Sequence, residues 1–387
     1  MKIKDKSALI KIFKTISWLD SRRWNSEDNY NFVNFFRDDL TNCEKVLTHW
    51  ICYITDRQMP FELVWDKGGY VFSELVYEYS RENLLPRRVL DNHYEKYHKE
   101  GKERFRFKST DKVPFASRYV PDDYQHILQT LEVLNHLKQK NIITYIVDIM
   151  RRFQSKDDLL IRVACGLHLL TYQLSGKKTS PEKIIKIMNN GEKFEKKLKE
   201  FKKASTTGKK RLWCCVRDYK KGLYHKIFNE AVKEVVDKDP EELINIWNKL
   251  PMNQMELPGD VWNNSPLFRN NLFANVLDID SIPKTWGMPK IIREVYNQLK
   301  DNEEVDDFYP EQFDITFDFV PRMCNEKLCN VCLFSKNGVE STCIPTQDKY
   351  CPVALLSCGY IAKCVEDPKG CILKNGISKG ICKGELR

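Results

Sequence analysis

Apolar residues recur at Val46, Leu47, Trp50, Ile51 and Ile54, the spacing that turns one stripe of a helix towards a core. Thr41 and Glu44 stand just ahead of that run as a capping box, in which each side chain satisfies the other residue's free backbone amide. Pro60 and then Gly68-Gly69 interrupt the period, and a second helix is predicted through Val71, Phe72, Leu75, Val76 and Tyr79. Between Pro86 and Pro121 the chain turns polar, with His93, His98 and many charges, which predicts a surface loop or irregular connection. Periodicity returns from Tyr124 through Ile127, Leu128, Leu131 and Leu134, and two further helices carry it to about Leu174.

Ser180-Pro181-Glu182 places a capping serine before a proline at the first helical position. The helical pattern that follows, to Phe201, sets Ile184, Ile185, Ile187, Phe194, Leu198 and Phe201 against lysines on the other face. After Ser205-Thr206-Thr207-Gly208, a predicted loop, comes a helix bearing Lys209, Lys210, Arg211, Trp213 and Arg217. Asp239-Pro240-Glu241 opens another, and Met288 to Leu299 reads as a last amphipathic helix. Phe313 to Val320 fits a short strand or a helical turn. The expected fold class is mainly α, a helical bundle with a C-terminal cysteine-rich metal-binding module. Its expected parts are a helical domain over 1–175, a basic helical domain over 176–300 and the cysteine module over 301–387.

With 387 residues, 42% apolar and 12% aromatic, the chain can bury a sizeable core. It holds no run of eighteen apolar residues, so no spanning helix and no membrane partner are expected. Lys11 and Lys14 break the first apolar stretch, which leaves no signal-peptide core and predicts a cytoplasmic protein. The formal charge of +9 is uneven: residues 177–221 hold sixteen Lys or Arg against five acids, and the remainder sums to about −2. Such a field favours polyanions, nucleic acid (DNA) first and an acidic membrane surface second; a solvated helix surface needs no partner. Lys209, Lys210, Arg211 and Arg217 flank the predicted loop and are the candidate phosphate contacts, while Phe194 and Phe201, seven apart, belong to the core stripe.

Nine of the fourteen cysteines lie at Cys324, Cys329, Cys332, Cys343, Cys351, Cys358, Cys364, Cys371 and Cys382. In a reducing compartment, thiols clustered this densely are held by metal rather than by disulfides. Cys329 and Cys332, two residues apart, can face one metal from a tight turn. Cys324 precedes them by a four-residue gap and Cys343 follows after a ten-residue gap, and these four are the candidate ligands. Cys351, followed by Pro352, is the rival for the fourth place; with Cys358, Cys364 and Cys371 it also allows a second site or a packed subdomain. Three close cysteines and a remote one favour an iron–sulfur cluster, 4Fe–4S, with zinc as the alternative because only one Cys-x2-Cys knuckle is present.

Leu257-Pro258-Gly259, then Asp278 and Asp280, then the four cysteines from Cys324 to Cys343, resemble the iron–sulfur helix-hairpin-helix DNA glycosylases over residues 240–345. That resemblance implies a helical, DNA-binding repair enzyme that extrudes a base before acting on it. It also implies that Asp280, or next Asp278, is the carboxylate that activates a nucleophile or stabilises positive charge on the sugar. Asp260-Val261-Trp262-Asn263 stands where the family has a second glycine and often a lysine, and the cysteine gaps are four and ten where six and five are usual. Without the resemblance, both aspartates read as turn or cap residues before Pro283.

No Gly-rich phosphate loop or His-Glu-x-x-His is present. His49 and His168 sit inside apolar stripes as core residues, and Asp56-Arg57-Gln58 reads as a salt-bridged helix end. The competing function classes are therefore a nucleic-acid-binding protein with a structural cluster, a zinc-stabilised interaction module without catalysis, and an electron-transfer or redox-sensing protein. The basic segment favours the first.

Overall fold

The computed structural model describes most of 1–20, then 36–55, 69–99, 121–171, 179–257 and 276–313, apart from single positions within these ranges. Among the described residues the chain is mainly helical, and it divides into two compact units, Tyr30–Gln254 and Met1–Asn29 with Met255–Arg387. Helices on both sides of residue 175 fall in one unit, so the described fold has no boundary there. The reason is physical: the basic helices spend their apolar stripes on the same core as the helices before them.

That core is organised by α1 (Asn42–Thr55). It packs against α2 (Gly69–Arg81), α4 (Pro121–His136), α5 (Ile142–Phe153), α9 (Thr206–Asp218) and α10 (Gly222–Val235). The sequence predicted one buried stripe, yet Val46 to Thr55 are all buried. A helix without a solvent face must satisfy its polar side chains internally. Thr48 Oγ1 donates to the Glu44 carbonyl at 2.9 Å and Thr55 Oγ1 to the Ile51 carbonyl at 2.9 Å. The capping box is present: Thr41 N–H donates to Glu44 Oε2 at 2.8 Å and Glu44 N–H to Thr41 Oγ1 at 3.2 Å. Glu234 of α10 also accepts from the Asn42 and Cys43 amides, which seats an anion at the positive end of α1.

The polar stretch after Pro86 corrects the predicted loop, because it begins as helix α3 (Pro86–Lys99). Val89, Leu90 and His93 supply a narrow buried stripe beside α2 and α4, and Arg87, Arg88 and Asp91 around them are exposed. Helix α6 (Leu159–Leu169) pairs with α5. Helix α7 (Pro181–Met188) packs on α4, and α8 (Gly191–Lys203) on α6 and α7. The start at Ser180 is as expected, with Ser180 Oγ accepting from the Lys183 amide ahead of Pro181. The one helix expected to Phe201 is two, however, because Asn190 caps a second start by accepting from the Lys193 amide on Oδ1 at 2.9 Å. Helix α11 (Pro240–Lys249) ends where Lys220 Nζ donates to the carbonyls of Trp247, Asn248 and Leu250.

In the second unit, the first residues of the chain join the segment after Val276. Ile3 bridges antiparallel to Leu277, and Lys4 N–H donates to the Val276 carbonyl at 2.8 Å. Leu9, Phe13 and Ile16 share one core with Met288, Ile291, Ile292, Val295 and Leu299 of α12 (Met288–Leu299). The Phe13 ring stacks on Phe308 with centroids 4.0 Å apart and meets the edge of Phe313 at 5.6 Å. The expectation that residues 1–20 belong to a 1–175 domain is therefore corrected: their apolar stripe is completed by α12 and its flanking aromatics. Phe313 closes a short 3-10 helix, Pro310–Phe313; residues 314–320 lie outside the described ones.

Candidate functional site

The most highly connected polar cluster among the described residues is buried between α1, α9 and α10. His49 and Tyr53, four apart, lie one turn from each other on α1. Asp218 ends α9, with Arg217 beside it and Cys215 one turn earlier. His49 Nε2 is 3.2 Å from Asp218 Oδ2, the Tyr53 hydroxyl donates to the same oxygen, and Arg217 Nε donates to Asp218 Oδ1 at 3.1 Å. On its other side, His49 Nδ1 is 3.6 Å from Cys215 Sγ. The imidazole ring is walled by Tyr224 at 3.8 Å, Tyr53 at 4.8 Å and Tyr219 at 5.1 Å between centroids.

The electrostatics fix the protons. Burial pushes the Cys215 thiol well above its ordinary value, so the sulfur keeps its hydrogen and donates it to His49 Nδ1. The imidazole proton then resides on Nε2 and points at Asp218. Burial also lowers the His49 pKa, against the pull of Asp218, which keeps the ring neutral. For Asp218, burial works upwards, but Arg217, His49 and Tyr53 outweigh it and hold the carboxyl at about 2.

A Cys–His–Asp order is the arrangement that activates a thiol nucleophile. Here the thiol is protonated, and Cys215 and His49 are 0% exposed with Asp218 at 5%. The cluster is accordingly a hydrogen-bonded bolt between α1 and α9, with Tyr224 of α10 packed on the imidazole. His49 was expected in the core and is there. Asp218 and Arg217 were missed as its partners; the signal was an adjacent pair of opposite charges closing an apolar run from Leu212 to Val216.

Arg217 requires a correction. It was expected at a phosphate-contacting surface, but it is 3% exposed and its guanidinium faces Asp218 in the core. Lys209, Lys210 and Arg211 fall on the early turns of α9, so the predicted Ser205–Gly208 loop is helical from Thr206. Helix α8 matches its pattern: Phe194, Leu198 and Phe201 are buried, while Lys193, Lys196, Lys199, Lys202 and Lys203 are exposed.

Asp278 and Asp280 sit at a turn. The Asp278 amide donates to the Lys2 carbonyl at 2.8 Å, and its own carbonyl accepts from Ser281 Oγ at 2.6 Å. Asp280 is exposed on the short 3-10 helix Ile279–Ser281. Leu257 is fully buried; Pro258-Gly259, Asp56-Arg57-Gln58 and the nine C-terminal cysteines, Cys324, Cys329, Cys332 and Cys343 among them, lie outside the described residues. The remaining five cysteines are buried and outside disulfides, and among the described residues no group of three His, Cys, Asp or Glu side chains is arranged to hold a metal. No described helix is long and apolar enough to cross a membrane. No family model, curated protein or solved structure matches the chain.

Proposed function

We propose that this chain binds nucleic acid, DNA first, through its basic segment, and holds a structural 4Fe–4S cluster on Cys324, Cys329, Cys332 and Cys343, with zinc as the alternative metal. One observation supports the nucleic-acid half most directly: α7 and α8 fold with their apolar stripes buried and Lys183, Lys186, Lys193, Lys196, Lys199, Lys202 and Lys203 exposed, so their charge forms an outward field. The metal half is supported by the density and spacing of the C-terminal cysteines. The glycosylase resemblance adds a substrate class, a duplex with an extrudable base, and assigns the chemistry to Asp280 or Asp278.

Anaerobically purified full-length chain is the test material. Visible absorbance that disappears in Cys329→Ser or Cys332→Ser is expected; a colourless, folded sample with stoichiometric zinc replaces the cluster by the alternative, and a metal-free one removes the metal centre. Fluorescence anisotropy with labelled duplex at low salt is expected to show binding that weakens steeply as salt rises. A chain that leaves both duplex and single strand unbound at low salt overturns the nucleic-acid half.

A further inference from the structure

We infer that the α8 face bearing Lys193, Lys196, Lys199 and Lys203, continued by Lys183 and Lys186 on α7, is the surface that meets the phosphates of a nucleic-acid duplex. The inference rests on the nucleic-acid proposal and says which surface carries it. Residues 181–203 hold eight lysines and four glutamates. Ion pairs remove two of each: Lys197 pairs with Glu200 at 2.5 Å, Lys202 with Asp158 at 2.8 Å, and Glu195 with Arg162 at 2.5 Å. The six lysines that make no ion pair among the described residues are the ones named above, and all six are exposed. Only Glu182 and Glu192 stand unpaired against them in this segment.

Their spacing makes a line. Residues three and four apart share a helix face, so Lys196, Lys199 and Lys203 lie together opposite the buried Phe194, Leu198 and Phe201. Lys193 to Lys203 spans roughly 15 Å at ~1.5 Å per residue. A duplex presents about one charge per 1.7 Å of axis, so that length faces on the order of nine phosphates. Helix α7 packs on α8 through its own buried Ile184, Ile187 and Met188, and its exposed Lys183 and Lys186 enlarge the field.

The burial pattern also chooses between polyanions. A helix that binds an acidic membrane inserts an apolar face beneath its cations. In α8 that face is already spent, because Phe194 is 0% exposed and Leu198 and Phe201 are each 2% exposed. What remains is cation without an insertable side chain, which suits a dense line of phosphates rather than an acyl boundary.

The test compares full-length wild type with a variant carrying Lys193→Glu, Lys196→Glu, Lys199→Glu and Lys203→Glu. Lys193→Gln, Lys196→Gln, Lys199→Gln and Lys203→Gln form a second variant should the first lose its helical circular dichroism. A control reverses Lys226, Lys238 and Lys249, which are exposed elsewhere on the same unit. Four lost phosphate contacts flatten the log–log salt slope by about 3.6, so between 50 and 200 mM salt the wild type loses roughly 150-fold more affinity than the variant. The loss is expected for all duplex sequences alike, with the control unchanged. Equal slopes in wild type and both face variants overturn this surface while wild-type binding keeps the nucleic-acid proposal. Loss of binding in the control alone moves the contact to another face. A wild type that ignores nucleic acid yet binds phosphatidylserine vesicles through these lysines overturns both statements in favour of a membrane surface.

Discussion

Replacing Asp218 by Asn removes the one carboxylate on which Arg217, His49 and Tyr53 converge, without changing its shape. The magnitude has two sources. Holding the carboxyl at about 2 instead of the ordinary 3.8 is a linkage of about 2 kcal/mol, taken at 1.36 kcal/mol per pK unit. Removing one member of a buried charge pair costs about 3–5 kcal/mol, because the other charge is left facing a neutral group. The amide still accepts one hydrogen bond, so the expected cost is about 3 kcal/mol. With a urea dependence of about 3 kcal/mol per molar, the midpoint falls by roughly 1 M. The fluorescence of Trp50, Trp213 and Trp247, all buried in this unit, reports the transition. Arg217→Met in the same cycle isolates the pair: in the double variant the two costs are expected to fall short of additivity by about 0.5–3 kcal/mol. A cost under about 1 kcal/mol for Asp218→Asn, or strict additivity, refutes the claim that this network holds α1 and α9 together.

Acid sensitivity follows from the same cluster, and both signs agree. Asp218 contributes stability above pH 3.8 that is lost as pH falls towards about 2, and His49, kept neutral by burial, begins to withdraw stability as pH drops below 6.5. Urea midpoints across this range are expected to decline in two limbs, the upper one absent in His49→Gln; a flat profile from pH 7 to 5 contradicts the neutral imidazole. In the other unit, Phe13→Ala deletes a ring stacked on Phe308 and edged by Phe313, with an expected cost of about 3–5 kcal/mol. Protease cleavage within the first twenty residues measures that loss, and unchanged resistance contradicts the docking of this segment.

The elements that were legible in the sequence are those whose causes are local. Ser180-Pro181, Thr41 with Glu44, and the Met288–Leu299 stripe each contain their own start signal or period, and the structure places helices or caps at all three. His49 was legible as a core residue, but the full burial of α1 was not, because Thr48, Cys52, Tyr53 and Thr55 count as breaks in an apolar stripe. Backbone carbonyls, Asp218 and neighbouring rings satisfy or surround these residues, and those partners come from up to 169 positions away. The same blindness placed residues 1–20 with the wrong neighbours: a period tells which face is buried and not what buries it.

Charge counting fails and succeeds for a related reason. The count over 177–221 treated Arg217 as a surface cation, yet its partner is the next residue, so the pair leaves the surface together and the net charge is unchanged. The same holds along α7 and α8, residues 181–203, where six lysines and two glutamates remain after pairing from eight and four, a net of +4 in either case. Folding therefore conserves the sum of a basic segment while deciding which residues express it. A polyanion would meet the residues left over after the fold has used its ion pairs, and among the described side chains of 181–221 those include lysines of α7 and α8 but not Arg217.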